Sequence, residues 1–225
     1  TPQGRKVTIR FSAAHPVGAL FKRPLHTILP LFTPVQAENA ALAAAAFKYR
    51  FPDMPEDLIE SGLSKAWLPA RFQLLSAEPL IVIDGAHTHN SIQTCADTFF
   101  SLLSDGSGAA DNTKPILVFA CAADKDPAGF APIFYDTIAY LYLTVPGSFK
   151  KGNLEKTVGA FTQVFGNENS VVMEASEDFN AVLKKAFTQS IAENRPLLIT
   201  GSFYLAAEAQ RVYSAEGFQD RGTQG

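Results

Sequence analysis

Hydrophobic positions along the chain change their period several times, and each change marks an element. Apolar, β-branched runs at Val7 to Phe11 and Leu25 to Phe32, separated by Pro16, Gly18 and Pro24, read as two strands. From Val35 to Tyr49 alanines and other strong helix formers follow one another until Pro52 and Pro55, which predicts a single long helix. A short helix is expected at Glu56 to Ser61. After Gly62 the segment Trp67-Leu68-Pro69-Ala70-Arg71 reads as a connector into a second domain. Beyond it, strand-like runs at Leu80 to Asp84, Ile116 to Cys121, Thr137 to Val145, Ser170 to Glu174 and Leu197 to Gly201 alternate with helical patterns. Those helices are expected at about Ser91 to Leu103, Ala128 to Phe134, Asn153 to Phe165, Ser176 to Glu193 and Ser202 to Glu216. Strands spaced by helices imply βαβ crossovers. The expected class is therefore α/β: a Rossmann-like, mostly parallel sheet with helices on both faces, preceded by a partial α/β segment. The expected divisions are 1–66, 67–217 and a frayed tail at 218–225, with Asp105 to Thr113 as a solvated loop.

Composition narrows the function classes without choosing one. A chain of 225 residues that is 47% hydrophobic can bury a core without disulfides or metals. Its 19 basic and 22 acidic residues give a formal net charge of −3, and no basic run carries interleaved aromatics, so no nucleic-acid partner is expected. No apolar stretch approaches the roughly 20 residues that span a bilayer, and none reads as a signal peptide. The two cysteines, Cys95 and Cys121, sit in apolar patterns and fit a reducing, cytoplasmic setting, as packed thiols rather than redox groups. The chain opens on Thr1-Pro2-Gln3-Gly4 rather than Met, which reads as the interior of a longer polypeptide.

Candidate chemistry concentrates where apolar runs end. Open α/β sheets place their ligands at the carboxyl ends of parallel strands. Three such ends are polar: Asp84-Gly85-Ala86-His87-Thr88-His89-Asn90, Cys121-Ala122-Ala123-Asp124-Lys125-Asp126 and Thr200-Gly201-Ser202. All three should emerge on one edge and can line one site. Taken singly, Asp84 and Ser202 read equally as turn or helix-capping residues, and Lys125 between two acids reads equally as a surface ion pair. His87 and His89 near Asp84 resemble part of a zinc or iron site, but the set is incomplete and a turn need not bring the two rings together. A hydrogen-bonding role for His87 beside a ligand is the stronger reading, and no metal ligand is assigned.

Several segments, taken in order, resemble the folylpolyglutamate synthase and dihydrofolate synthase branch of the Mur ligase superfamily. They are Gln36-Ala37-Glu38-Asn39-Ala40-Ala41-Leu42-Ala43, Trp67-Leu68-Pro69-Ala70-Arg71-Phe72-Gln73, Asp84-Gly85-Ala86-His87, Asp124-Lys125-Asp126 and Thr200-Gly201-Ser202-Phe203-Tyr204-Leu205. The resemblance covers the end of that family's central ATP-binding domain and its carboxy-terminal domain. It implies an ATP-dependent ligase that activates a folate or dihydropteroate carboxylate as an acyl phosphate, which the amine of L-glutamate attacks. It also implies ATP and magnesium, the magnesium on ligands in an amino-terminal part. By position, Asn39 resembles the residue that reads adenine, Arg71 the arginine that reaches the ATP phosphates, and Asp84 the acceptor for ribose hydroxyls. His87 and Lys125 resemble the catalytic residues, and with Thr88 and Ser202 they resemble the border of the glutamate site. Gln36 reads alternatively as a cap of its helix.

Departures from the pattern matter as much. Where the family has Pro-Gly-Arg, this chain has Pro69-Ala70-Arg71; if that position needs positive φ, Ala70 costs stability or shifts Arg71. After the histidine, Thr88-His89-Asn90 stands where bacterial members commonly have Asn-Pro. The family's phosphate loop, Gly-Thr-x-Gly-Lys-Gly-Ser, does not occur in these residues. The expectation is a piece of the ligase that is inactive by itself and works with an amino-terminal domain of the same polypeptide. A piece of a cell-wall Mur ligase and a non-catalytic nucleotide or amino-acid binding module are the alternatives.

Overall fold

Strand β1 (Arg5–Ile9) pairs antiparallel with β2 (Leu25–Leu29), with Val7 opposite Thr27. Alternate β2 residues are buried, so one face of this ribbon needs a cover. Helices α1 (Pro34–Arg50) and α2 (Glu56–Ser64) supply it, and Ile9, Leu25, Leu29, Ala40, Ala44 and Ile59 form the small core. Thr33 and Gln36 cap α1 reciprocally, each side chain accepting from the other's backbone amide, so Gln36 does cap the helix start. Lys48 is 2% exposed and is matched by Glu56 at 3.4 Å. Leu42 and Tyr49 project from the same helix into solvent.

These elements make the first of two units into which the computed structural model divides, one running to Pro69 and the other from Ala70. The structure describes residues 5–30, 33–104, 113–166 and 171–218. Expectations for the end of the second strand at 31–32, most of the loop at 105–113 and the tail after 218 lie outside them.

The second unit is built on one six-stranded sheet. Its elements in chain order are β3 (Gln73–Ala77), β4 (Leu80–Ile83), α3 (His89–Ser104), β5 (Ile116–Phe119), β6 (Tyr140–Leu143), α4 (Leu154–Phe165), β7 (Val172–Ala175), α5 (Phe179–Glu193), β8 (Leu197–Thr200) and α6 (Phe203–Ala215). The strand order is β3-β4-β8-β5-β6-β7; β3 runs antiparallel to β4 and every other pairing is parallel. Every residue of β4, β5 and β8 is buried, as in a sheet covered on both faces. Ile116 and Val118 pack toward α5 and α6 with Leu183, Phe187 and Leu205. Phe119, one step along the strand, faces the other way and meets Phe130, Phe134 and Phe161 at centroid distances of 6.0, 6.3 and 5.1 Å. The α/β class with a mostly parallel, helix-covered sheet is the class expected from the sequence.

Two elements differ from expectation. Strand β3 is missing from the sequence reading because every one of its residues is only partly buried, so it lacks the apolar signature of the strands it borders. The helix expected at Ala128 to Phe134 is instead two 3-10 turns, Pro127–Gly129 and Ala131–Phe134. Pro132 lacks the amide that an α-helical ladder would need there. Among the described residues no helix is long and apolar enough to cross a membrane.

Phe119 is fully buried between three other rings. Phe119→Ala should lower the unfolding free energy by about 3–5 kcal/mol in urea denaturation, the usual range for deleting a core aromatic. A loss under about 1 kcal/mol would contradict its central place.

Candidate active site

Strands β4, β8, β5 and β6 are neighbours and parallel, so their carboxyl ends open on one edge of the sheet. At the end of β4 stands Asp84, 6% exposed. Its Oδ2 accepts the Phe72 amide at 2.6 Å and its Oδ1 the Ala86 amide at 2.6 Å. The Gly85 amide donates to the Ala70 carbonyl at 2.8 Å, and the Gln73 side-chain oxygen accepts the Ala70 amide at 3.0 Å. The connector is thus sewn to the strand end. Both residues flanking Arg71 lie in the left-handed region, Ala70 at φ 54 and Phe72 at φ 47. For residues with a Cβ that region costs about 1–2 kcal/mol each. Ala70 therefore carries the conformational cost that the sequence reading attaches to it, with its methyl buried in the core. Burial pushes the Asp84 carboxyl up to about 6, against the pull of the Phe72 and Ala86 amides and of the charges on Arg71 and His87.

The held connector delivers Arg71 to an aromatic platform. Its guanidinium carbon lies 4.5 Å from the centre of the Phe203 ring, and the His87 ring lies 5.5 Å from the same centre. Gly85 makes this possible: a Cβ there would fall 2.1 Å from Phe203 Cδ1. Gly85 Cα is therefore part of the floor on which the ring rests. His87 Nδ1 is 2.9 Å from the Gly85 carbonyl, and since a carbonyl only accepts, Nδ1 carries a proton; in the neutral tautomer that this bond selects, Nε2 is the acceptor. Phe203 opens α6, whose N-cap is Ser202; the Ser202 oxygen accepts the Tyr204 amide at 3.2 Å and its own proton remains to be donated.

His87, Lys125 and Ser202 come together around one cavity of about 220 Å3, which Asp124, Lys150 and Tyr204 also line. That is below the roughly 300 Å3 at which pockets for drug-sized ligands begin, and suits a ligand the size of an amino acid. Lys125 lies 3.7 Å and Lys150 3.4 Å from the Asp124 carboxylate. Thr88 is exposed and engaged in a reciprocal cap with Ser91: the Ser91 amide donates to Thr88 Oγ1 at 3.3 Å and the Thr88 amide to Ser91 Oγ at 3.0 Å. His89 lies beside Gly129 rather than on Phe203, so the two histidines have different neighbours. Among the described residues no group of three or more His, Cys, Asp or Glu is placed to hold a metal ion. Asn39 is exposed on α1, in the first unit. Cys95 and Cys121 are unpaired and buried, and burial pushes both thiols up. Phe203, Lys150 and Tyr204 are absent from the sequence reading as site residues.

Comparison with known proteins agrees with this architecture. No family model matches the chain. A folylpolyglutamate synthase of Lacticaseibacillus casei is 30% identical over 191 residues, covering 82% of this chain and 40% of that protein. A dihydrofolate synthase/folylpolyglutamate synthase of Escherichia coli is 28% identical over 211 residues, covering 91% of this chain and 42% of that protein. The chain is related to the folylpolyglutamate and dihydrofolate synthases. A Mycobacterium tuberculosis folylpolyglutamate synthase complexed with ADP and AMPPCP shares the fold, with a TM-score of 0.67 at 23% identity over 84% of this chain and 42% of that one. The chain spans less than half the length of the curated synthases it matches.

Two outcomes follow for this synthase relative. Gly85→Ala should cost about 1–3 kcal/mol by overpacking against Phe203, and Phe203→Ala in the same chain should recover part of that cost in a double-mutant cycle. Strict additivity would mean that the ring does not rest on Gly85. The second outcome concerns pH. The folded value of Asp84 lies above the unfolded one, so the folded chain keeps a proton that the unfolded chain has released between about pH 4 and 6. Its contribution is full below that window and lost as pH rises through about 6. The stability advantage of wild type over Asp84→Asn should therefore grow, on the order of 2 kcal/mol, as pH falls from 7 to 4. A flat or shrinking difference would show that the two amides outweigh burial.

Proposed function

We propose that this chain is the glutamate-receiving part of an ATP-dependent ligase that joins L-glutamate to a folate or dihydropteroate carboxylate through an acyl phosphate. The observation that carries the reading is the convergence of His87, Lys125 and Ser202 on one small pocket, with Arg71 stacked on the ring that also meets His87. A carboxylate is a poor acyl donor until one oxygen becomes a leaving group. Phosphorylation by ATP supplies that group, and the developing charge then needs fixed cations and donors. Arg71, permanently charged and forked, suits the phosphates. Asp84 retains a second lone pair on each oxygen for ribose hydroxyls, and Asn39 offers adenine both a donor and an acceptor. Lys125 and the Ser202 hydroxyl suit a carboxylate of the amino acid, with Thr88 at the rim. His87 Nε2, as an acceptor, suits the ammonium that must lose a proton before it attacks.

Magnesium, on this reading, is held by residues of an amino-terminal part, and among the described residues no group of three or more His, Cys, Asp or Glu is placed to hold it. Residues 1–66 are read as the end of a central ATP-binding domain and 67–217 as the carboxy-terminal domain. Two buried, unpaired cysteines support a cytoplasmic setting.

Because no phosphate loop occurs in these 225 residues, the purified chain should bind nucleotide weakly and release no phosphate in the presence of ATP, dihydropteroate and L-glutamate. Glutamate-dependent phosphate release would overturn this. Tight calorimetric binding of ATP by the chain alone would favour a binding module instead.

A further inference from the structure

Lys150 belongs to none of the motifs that point to the pocket, and yet the fold holds it there. The segment between β6 and α4 is fastened to the loop after β5: Ala122 and Gly152 form an antiparallel bridge, and the Ala123 amide donates to the Lys151 carbonyl at 3.1 Å. Lys156 Nζ adds a bond to the Lys125 carbonyl at 2.7 Å. The approach is close enough that a Cβ on Gly152 would lie 2.6 Å from the Pro146 ring and 3.2 Å from the Cys121 carbonyl. In consequence two ammonium groups face one carboxylate, with Lys150 Nζ 3.4 Å from Asp124 Oδ1 and Lys125 Nζ 3.7 Å from Oδ2. The Asp124 side chain is 61% exposed, and exposed pairs of this kind are worth at most about 1 kcal/mol. A ligand carboxylate can therefore displace it at little cost.

An acidic amino acid whose amine is the nucleophile keeps both of its carboxylates ionised, so its pocket has two negative charges to meet. Lys125 with Ser202 can meet one. We propose that Lys150 is the specificity-determining residue for the second carboxylate, with Asp124 standing in for it when the pocket is empty. The inference rests on the reading of this pocket as the amino-acid site. It makes the pocket select a dicarboxylic amino acid over its uncharged amide.

The test compares L-glutamate with L-glutamine, which differ in that one charge, by NMR titration of the 225-residue chain. Glutamate should bind about tenfold more tightly than glutamine. Lys150→Gln should abolish the preference while leaving glutamine affinity unchanged, Lys150→Arg should retain it, and Lys125→Gln should weaken both ligands together. An unchanged glutamate-to-glutamine ratio in Lys150→Gln would overturn the assignment of Lys150 and leave the pocket standing. If neither ligand perturbs the amides of His87 and Ser202 in the wild-type chain, the amino-acid site itself is wrong and this inference falls with it.

Discussion

A buried carboxylate sets the geometry on which the site depends. Asp84 takes one backbone amide on each oxygen, from Phe72 on the connector and from Ala86 beyond the strand end. Hydrogen bonds to a charged acceptor contribute about 1.5–3 kcal/mol each. That is the same size as the cost of holding Ala70 and Phe72 in the left-handed region. The clamp offsets part of the cost of the strained corner, while burial of the carboxyl takes back some of that gain. What the corner achieves is the placement of Arg71 over Phe203. Gly85 follows from the same constraint, since the residue after Asp84 must reach the Ala70 carbonyl and also lie under the ring.

Topology supplies the second half of the arrangement. The chain leaves β4, crosses to β5, proceeds outward through β6 and β7, and returns through α5 to place β8 between β4 and β5. That return inserts Ser202 between the loop bearing His87 and the loop bearing Lys125, although the three lie far apart in sequence. Because these five strands point the same way, the polar endings fall on one edge, where the sheet's own hydrogen bonding has ended and side chains can turn to a ligand.

The parallel core was legible because fully buried strands write themselves as unbroken apolar runs, and Leu80 to Ile83, Ile116 to Phe119 and Leu197 to Thr200 are three of them. The edge strand Gln73–Ala77 was not: partly buried throughout, it has neither a β-branched residue nor an apolar alternation, whereas the more exposed Val172–Ala175 is still announced by a pair of valines. Polar strand endings located the pocket but not its full lining. Phe203 reads in sequence as the first apolar residue of a helix, and only its contacts with Arg71, His87 and Gly85 make it a platform. Lys150 sits in a loop whose register with residues 122–125 depends on one bridge and one backbone hydrogen bond, neither of which leaves a pattern in the chain. Capping residues were legible as alternatives only: Gln36 and Ser202 both cap, and a cap and a ligand contact draw on the same kinds of side chain.

The acids at these strand ends divide by burial, and the division assigns their work. Asp84 is shut away from water and bonded on both oxygens, so exchanging its partners would expose a desolvated group and break the corner. Asp126 is spent on the Ala128 amide as the cap of a 3-10 turn. Asp124 is exposed to solvent between two lysines, in ion pairs of the weak surface kind, and can give way. A site composed in this manner has a rigid wall, made of a clamped connector and an aromatic ring, and a soft wall of exchangeable surface charges. Rigidity is needed where a guanidinium must meet a reacting phosphoryl group within a fraction of an ångström. Exchangeability is needed where an amino acid must enter, shed water and find its counter-charges already gathered.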